Sequence, residues 1–377
     1  MPMSMGSGHG DGSHVPHLRG KLETLRLPTP GQVKAMPLPA GGTVGIVAPA
    51  SPFHNRSSIL RGIEWWEEKG YRVKLAPAIH ERDAYIAGDP ETRARDLEAM
   101  FEDPEVDAIQ CFQGGYGSTE VIDYLNFDLI RGCPKPFVGK SDITALHIAL
   151  HQLAGLVTFY GPGLINVNSP GTPALTQDCL LRALRGTEPL GDVPVNPDDP
   201  YIRPLGSGVA HGVMVGGALW VLALTVGTPW QIDLRGKVLF FEEIGEQPWR
   251  MDALLRNLRQ TGVLEGVIAV VVGELVDCDW REDRSDVPQT FSIEDVLERH
   301  IASLGVPAIY GHPLGHGKNL VTVPLGVEVE VDADSRRLSI IEPALLGRDT
   351  TSSTVPTRET RGRCGVWSPP PTARSTS

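Results

Sequence analysis

The stretch KPFVGKSDITALHIAL, Lys135–Leu150, passes from a short apolar run through a charged and polar knot into a long apolar segment. PFVGK reads as a buried strand, and the residues from Asp142 onward, with apolar side chains at helical spacing, read as a helix. Lys140, Ser141 and Asp142 therefore stand where a strand hands over to a helix. Two accounts fit that place. A Ser or Asp side chain at a helix start satisfies orphan backbone amides, which makes the pair a plain N-cap. A serine hydroxyl there also sits in the positive end of the helix dipole, beside amides able to hold an oxyanion. Gly139 permits a sharp turn, but Ile143 occupies the place of the second glycine in a G-x-S-x-G elbow, so that motif is absent.

Upstream, strands and helices alternate. TVGIVAPAS (Thr43–Ser51) is a buried-strand run ending in a loop, and SSILRGIEWWEEKG is an amphipathic helix closed by Gly70. The strand YRVKLAP follows, then the helix DPETRARDLEAMFEDP with Leu97, Met100 and Phe101 on its apolar side, then the strand VDAIQCF. GGYGSTEVIDYLN is a loop passing into a helix. This rhythm predicts a parallel sheet with helices on both faces over residues 39–165. Residues 166–208, rich in Pro, Gly and Asp, predict a linker to a second domain at 209–346. There GVEVEVDADSRRLSIIEP alternates Val327, Val329 and Val331 with acids, as a half-exposed hairpin does. Residues 1–38 and 347–377 lack periodicity and are expected to be disordered, with His9, His14 and His17 belonging to a flexible end.

The net charge of the 377 residues is −12; residues 1–40 carry +2 and residues 347–377 carry +3, so the body between them bears about −17. Such a body repels phosphate backbones and anionic lipid, which excludes nucleic acid and membrane as main partners. The five scattered cysteines, without a CxxC pair, fit free thiols in a reducing compartment. No apolar h-region opens the chain and no run reaches a membrane span, so the expected location is cytoplasmic.

In order along the chain stand TVGIVAPAS, AGDPETRARDLEAMFEDPEVDAIQC, GGYG, KPFVGKSDITALHIALHQLAGLVTFYGP, FFEEIGEQPWRMDALLRNLRQTGVL and PLGHGKNLVTVPLGV. Together, across roughly Pro39–Leu346, they resemble the LD-carboxypeptidase family of serine peptidases, which includes murein tetrapeptide carboxypeptidases and microcin C self-immunity peptidases. The resemblance implies an N-terminal parallel-sheet domain, a smaller mixed α/β, barrel-like C-terminal domain, and an active site between them. It implies a Ser-Glu-His triad: Ser141 in GKSD as nucleophile, Glu242 after the strand KVLFF, and His316 in LGHGKN as base. The oxyanion hole it implies is made by backbone amides, those of Asp142 and of Gly115 in GGYG. A homodimer is likewise implied.

The chemistry is coherent, since a serine hydroxyl needs an imidazole to take its proton and an acid to orient that imidazole. Glycines at 114 and 115 let an amide approach a carbonyl unobstructed. Glu243 is an alternative to Glu242, and Glu243 and Glu246 are also candidates for binding substrate amines or for decorating the rim. Further substrate-binding candidates are Gly114, Tyr116, Lys140 and Trp280. Lys140 either contacts a carboxylate or points to solvent. His312 is expected to be structural. His147 and His151 are spaced i, i+4, but the Glu of H-E-x-x-H and a third ligand are missing, so neither metal nor organic cofactor is expected. The chain departs from the family pattern at Gln113, usually Arg, at Lys140, usually aromatic, and at Ala218, usually Asn. The implied reaction releases D-Ala from a murein tetrapeptide by hydrolysis of an L,D-amide. Two alternatives are a peptidase for peptidyl or aminoacyl nucleotides, with Trp280 stacking on the base, and a catalytically silent wall-peptide binder.

Overall fold

The structure, a computed structural model, describes residues 30–53, 55–196, 199–280 and 291–347. The first sheet contains β1 (Thr43–Val47), β2 (Arg72–Leu75), β3 (Ala108–Cys111), β4 (Phe137–Gly139), β5 (Thr158–Tyr160) and, from far down the chain, β12 (Val323–Leu325). Their order is β12-β5-β4-β3-β1-β2. Strands β1 to β5 are parallel, and β12 closes one edge antiparallel to β5. Every residue of β1, β3, β4 and β5 is buried, as strands covered on both faces require. The chain leaves β1 for β2 on one side and returns to β3 on the other. Loops from the C-terminal ends of β1 and β3 therefore diverge, and such a switch point opens a ligand crevice. The loops after β1, β3 and β4 bring Ser51, Gly114 and Ser141 to this end of the sheet.

The second sheet contains β6 (Gly191–Asp192), β7 (Arg203–Pro204), β8 (Val209–Ala218), β9 (Lys237–Ile244), β10 (Ala269–Val276), β11 (Ala308–Tyr310), β13 (Glu328–Asp332) and β14 (Arg337–Ile340). The order β6-β14-β13-β8-β9-β10-β11-β7 has a parallel centre, β8 to β11, and antiparallel flanks. It curls so that β13 also approaches β10 and β11, a barrel-like shape. With eight strands against six, it is the larger sheet. The sheets dock where Ala218 N donates to Thr144 Oγ1 at 2.9 Å, and a Cβ at Gly217 would stand 2.3 Å from the same oxygen. The end of β8 thus presses directly on the helix Thr144–Ala149 that follows Ser141.

The sequence reading is corrected at four places. Residues 30–38 are packed: Ala35 and Leu38 are buried, Leu38 N donates to Leu184 O at 2.8 Å, and Lys34 pairs with Glu342 at 2.5 Å. The segment 166–208 is more than a linker, because the helix Ala174–Arg185 buries Cys179, Leu180, Ala183 and Leu184 at helical spacing. Strand β12, counted with the second domain, extends the first sheet, since its apolar residues complete the open edge beside β5. Cys111, Cys179 and Cys278 are free and buried, but Cys133 is disulfide-bonded, so the chain does not hold five free thiols. Residues 1–29 and 348–377, the rest of the expected tails, lie outside the described residues.

Arg93 shows how the crevice loops are held. Its buried guanidinium donates to the carbonyls of Gly88 (3.0 Å), Pro49 (2.8 Å) and Gly117 (2.7 Å) and pairs with Glu120 at 2.6 Å. Arg93→Met leaves three inward carbonyls and a carboxylate without their donor. The expected loss is about 3 kcal/mol or more of unfolding free energy. It should be read as a lower urea midpoint at unchanged slope. Arg93→Lys should restore less than half of it, because an ammonium lacks the planar fork.

Candidate active site

Ser141 begins the turn from β4 into the following helix, and its backbone stands at φ 64°. A non-glycine residue in the left-handed region is strained, and such strain on a strand-to-helix turn projects the hydroxyl outward. The elbow thus exists without its second glycine. Gly139 supplies the close approach, since a Cβ there would fall 2.6 Å from Ile143 Cγ2.

One chain of hydrogen bonds joins Ser141 to residues of the second sheet. Ser141 N donates to Tyr160 Oη at 2.9 Å, and Tyr160 Oη donates to Glu242 Oε1 at 2.5 Å. His316 Nδ1 donates to Glu242 Oε2 at 2.6 Å. A carboxylate oxygen accepts, so the hydrogen of this bond sits on Nδ1 and Nε2 is left for another partner. Burial, and then the facing Glu242 charge, push the Tyr160 phenol well above its ordinary range, so it remains a donor. Glu242 is fully buried and His316 nearly so. Glycines make room for the carboxylate: a Cβ at Gly315, where φ is 125°, would stand 2.5 Å from Glu242 Oε2, and one at Gly273 would stand 3.1 Å from Glu242 Cβ.

The glycine loop after β3 lies against this turn. A Cβ on Gly114 would fall 2.9 Å from Ser141 Cβ and 3.1 Å from Asp142 N. At Gly115, φ is 104° and a Cβ would strike Ser51 Oγ at 2.3 Å. Ser51 Oγ accepts from Tyr116 N at 3.1 Å and donates to Tyr85 O at 3.0 Å, which fixes the loop. The Asp142 amide, in a first helical turn, has no intrahelical acceptor. Its side chain faces away from Ser141 and accepts from Ser118 N at 2.8 Å, with burial raising its pKa.

The remaining candidates separate clearly. Lys140 does not point to open solvent: it is half-buried, and burial lowers its pKa to about 8 against the opposing pull of Glu242 and Glu274. Glu243 is buried and turned to the backbone, accepting from Trp220 N at 2.7 Å and Ile244 N at 2.9 Å, so its carboxylate anchors the helix Leu219–Leu224 instead of facing substrate. Glu246 pairs with Arg250 at 3.3 Å on the next helix. Gln113, in place of an arginine, braces the β1 loop by donating to Pro52 O at 2.6 Å. Tyr116 is half-exposed and meets Tyr85 edge to face at 5.6 Å, forming an aromatic rim. The Trp280 indole donates to Phe291 O at 2.6 Å, and no described contact joins it to Ser141 or His316. Both ring nitrogens of His147 are engaged, with Gly139 O at 2.9 Å and Thr158 Oγ1 at 2.8 Å, which leaves none for a metal. His312 is fully buried, and burial lowers its pKa to about 4.

Two residues packed beside Ser141, Glu242 and His316 escaped the sequence reading. Tyr160 ends an apolar strand, TFY, and nothing local separates it from a core aromatic. Glu274 lies in VVVGEL, an apolar run that gave no reason to single out its one acid.

A strained serine, a buried carboxylate and an imidazole with one free nitrogen, converging between two α/β sheets, define the serine-hydrolase class. Comparison with known proteins narrows it. Residues 44–161 match the LD-carboxypeptidase N-terminal domain, and residues 211–331 match the LD-carboxypeptidase C-terminal domain. The chain is 37% identical over 311 residues to a probable murein peptide carboxypeptidase of Bacillus subtilis, covering 82% of this chain and 94% of that protein. It is 27% identical to the microcin C7 self-immunity protein MccF of Escherichia coli, covering 82% and 96%. In structure it resembles wild-type MccF with a TM-score of 0.74 at 25% identity, covering 83% of this chain and 99% of MccF. A muramoyltetrapeptide carboxypeptidase from Oxalobacter formigenes gives 0.68 at 27%, covering 79% and 97%. The chain belongs to the LD-carboxypeptidase family and is a serine-type carboxypeptidase.

Proposed function

We propose that this enzyme hydrolyses the L,D-amide that joins the C-terminal D-Ala to a murein tetrapeptide, with Ser141 as nucleophile, His316 as base and Glu242 as its orienting acid. The observation that carries the proposal is the hydrogen-bonded chain Ser141–Tyr160–Glu242–His316 at the crevice of the first sheet. His316 Nε2 takes the Ser141 proton as Oγ attacks the scissile carbonyl. The amides of Asp142 and Gly115 receive the developing oxyanion, each donor supplying roughly 3–4 kcal/mol of barrier lowering. Collapse expels D-Ala, which takes the proton back from His316, and leaves an ester on Ser141. Water, activated by the same imidazole, then releases the tripeptide.

Incubation with tri-, tetra- and pentapeptide wall fragments and with a peptidyl nucleotide, followed by mass spectrometry, tests the substrate. The expected result is loss of one residue from the tetrapeptide alone. Cleavage of the nucleotide conjugate alone would assign the chain to the chemistry suggested by its likeness to MccF. No cleavage of any, with no label taken up by Ser141 from a serine-reactive probe, would favour a silent binder. The same reading has the enzyme act in the cytoplasm as a homodimer, without a metal or organic cofactor; sedimentation and cell fractionation check the first two. Among the described residues no helix is long and apolar enough to cross a membrane.

Tyr160 gives a sharper test of the geometry. Tyr160→Phe removes the acceptor for the Ser141 amide and the donor to Glu242 Oε1 while keeping the ring. A supporting group of this kind is worth roughly 10–100-fold in rate. The loss should fall on kcat, with KM little changed because the hydroxyl touches the machinery and not the peptide, and the thermal midpoint should fall, because a buried carboxylate oxygen and an amide lose their partner.

A further inference from the structure

The first sheet has a second recess, at the end opposite the crevice. It lies where β3 and β4 begin, is walled by Met36, Pro37, Phe101, Pro104, Cys133 and Leu346, and holds about 270 Å³. Met36 and Leu346 leave apolar surface exposed there. The lysines at its rim are engaged elsewhere, Lys34 with Glu342 and Lys135 with the carbonyls of Met100 and Asp103. Two observations say what belongs in this groove. The described chain ends on it: Leu346 is part of the wall and is tied down by its amide, which donates to Ala35 O at 2.9 Å. Cys133, in the same wall, is disulfide-bonded, whereas Cys111, Cys179 and Cys278 are free. The sequence holds five cysteines, and the fifth is Cys364. Residues 348–363, RDTTSSTVPTRETRGR, lead to it and are almost wholly polar. Fully extended they span on the order of 50 Å, ample to return to a groove whose wall the chain has just left. After Cys364 the character changes to GVWSPPP, Gly365–Pro371. A proline-rich run with one aromatic docks on an apolar groove at small cost in chain entropy. Arg361 and Arg363 precede Cys364, and the exposed Glu102 stands at the rim with the opposite charge.

We propose that Cys364 is the partner of Cys133 and that Gly365–Pro371 fills this groove, with Trp367 on its apolar wall, so that the C-terminal segment of the chain is latched to the back of the sheet that carries Ser141. The latch is independent of the chemistry in the crevice. Closing it turns two thiols into one disulfide: a Cys133 or Cys364 thiolate attacks a low-molecular-weight disulfide and expels one thiol, and the second cysteine then displaces the other. Two protons and two electrons leave with those thiols, and a reducing thiol pool reverses the exchange. The latch is therefore open in a reducing compartment and closed in an oxidising one. The bond encloses every strand from β4 to β14, so opening it frees most of the unfolded chain and lowers stability.

Tryptic mapping of the full chain, purified without reductant and alkylated before digestion, tests the bond. The expected product joins the fragments 132–140 and 364–374 and separates on reduction. Reduction should lower the thermal midpoint by roughly 5 °C or more. Cys364→Ser should show the same loss, with no further shift on reduction. The seating of the segment is read from the equilibrium between latched and open forms in a glutathione buffer. Contacts in the groove raise the effective concentration of Cys364 at Cys133, so Trp367→Ala and Met36→Glu should each shift that equilibrium toward the open form by roughly tenfold. Alkylation of Cys133 in the unreduced protein, or its linkage to a second chain in a disulfide dimer, overturns the latch. A bond whose equilibrium neither variant moves overturns the seating in the groove.

Discussion

Ser141→Ala is expected to lower kcat/KM on the murein tetrapeptide by roughly 10⁴–10⁶-fold while leaving peptide binding within a few-fold. The hydroxyl is carried on a strained backbone, at φ 64°, whose amide is linked through Tyr160 to a carboxylate that holds an imidazole. Alanine removes the proposed nucleophile and keeps the backbone amide at position 141, so the bond to Tyr160 and the docking of the two sheets survive. The thermal midpoint should therefore hold. Whatever activity remains reports what the amides of Asp142 and Gly115 and the imidazole do for water alone. Single-turnover measurement on the variant, with a mock purification as control, gives the number.

Glu242→Gln is expected to lower kcat by about 10⁴-fold, for a reason specific to this site. Both carboxylate oxygens accept, Oε1 from Tyr160 Oη and Oε2 from His316 Nδ1. An amide has one oxygen. If it faces Tyr160, its NH₂ faces His316 Nδ1 and forces the proton onto Nε2, which abolishes the base. If it faces His316, the Tyr160 hydroxyl loses its acceptor and the link to the Ser141 amide loosens. The residue is fully buried and nearly isosteric with Gln, so stability should change far less than rate. NMR of the His316 ring nitrogens distinguishes the two orientations.

Much of the site could be read before any coordinates, because its parts lie in recognisable blocks at strand ends. LGHGKN shows a histidine between glycines, a poor core residue, and the structure places its ring on Glu242. KVLFFEE left two acids open; both are buried, and their hydrogen bonds show that Glu242 turns to Tyr160 and His316 and Glu243 to the Trp220 amide. What stayed hidden is long-range. Tyr160 earns its role only because β5 lies beside β4 and ends where the second sheet docks, a fact of strand order and not of local pattern. Glu274 depends on a bulge, which leaves no trace in an apolar run of Val and Gly. The elbow was hidden for a related reason: Ile143 broke the glycine motif, yet Gly139 alone allows the turn. The packing of residues 30–38 and the helix within 166–208 were obscured by their Pro and Gly content, which marks loops only when no apolar face is buried nearby.

The most direct measurement is mass spectrometry of the protein quenched during turnover of the tetrapeptide, followed by mapping of any adduct. The account predicts a covalent mass equal to the tetrapeptide less D-Ala, on the fragment containing Ser141, present in the unaltered enzyme and absent in Ser141→Ala. Release of D-Ala by a Ser141→Ala protein at the full rate, with no adduct on Ser141 in any form of the enzyme, would contradict it.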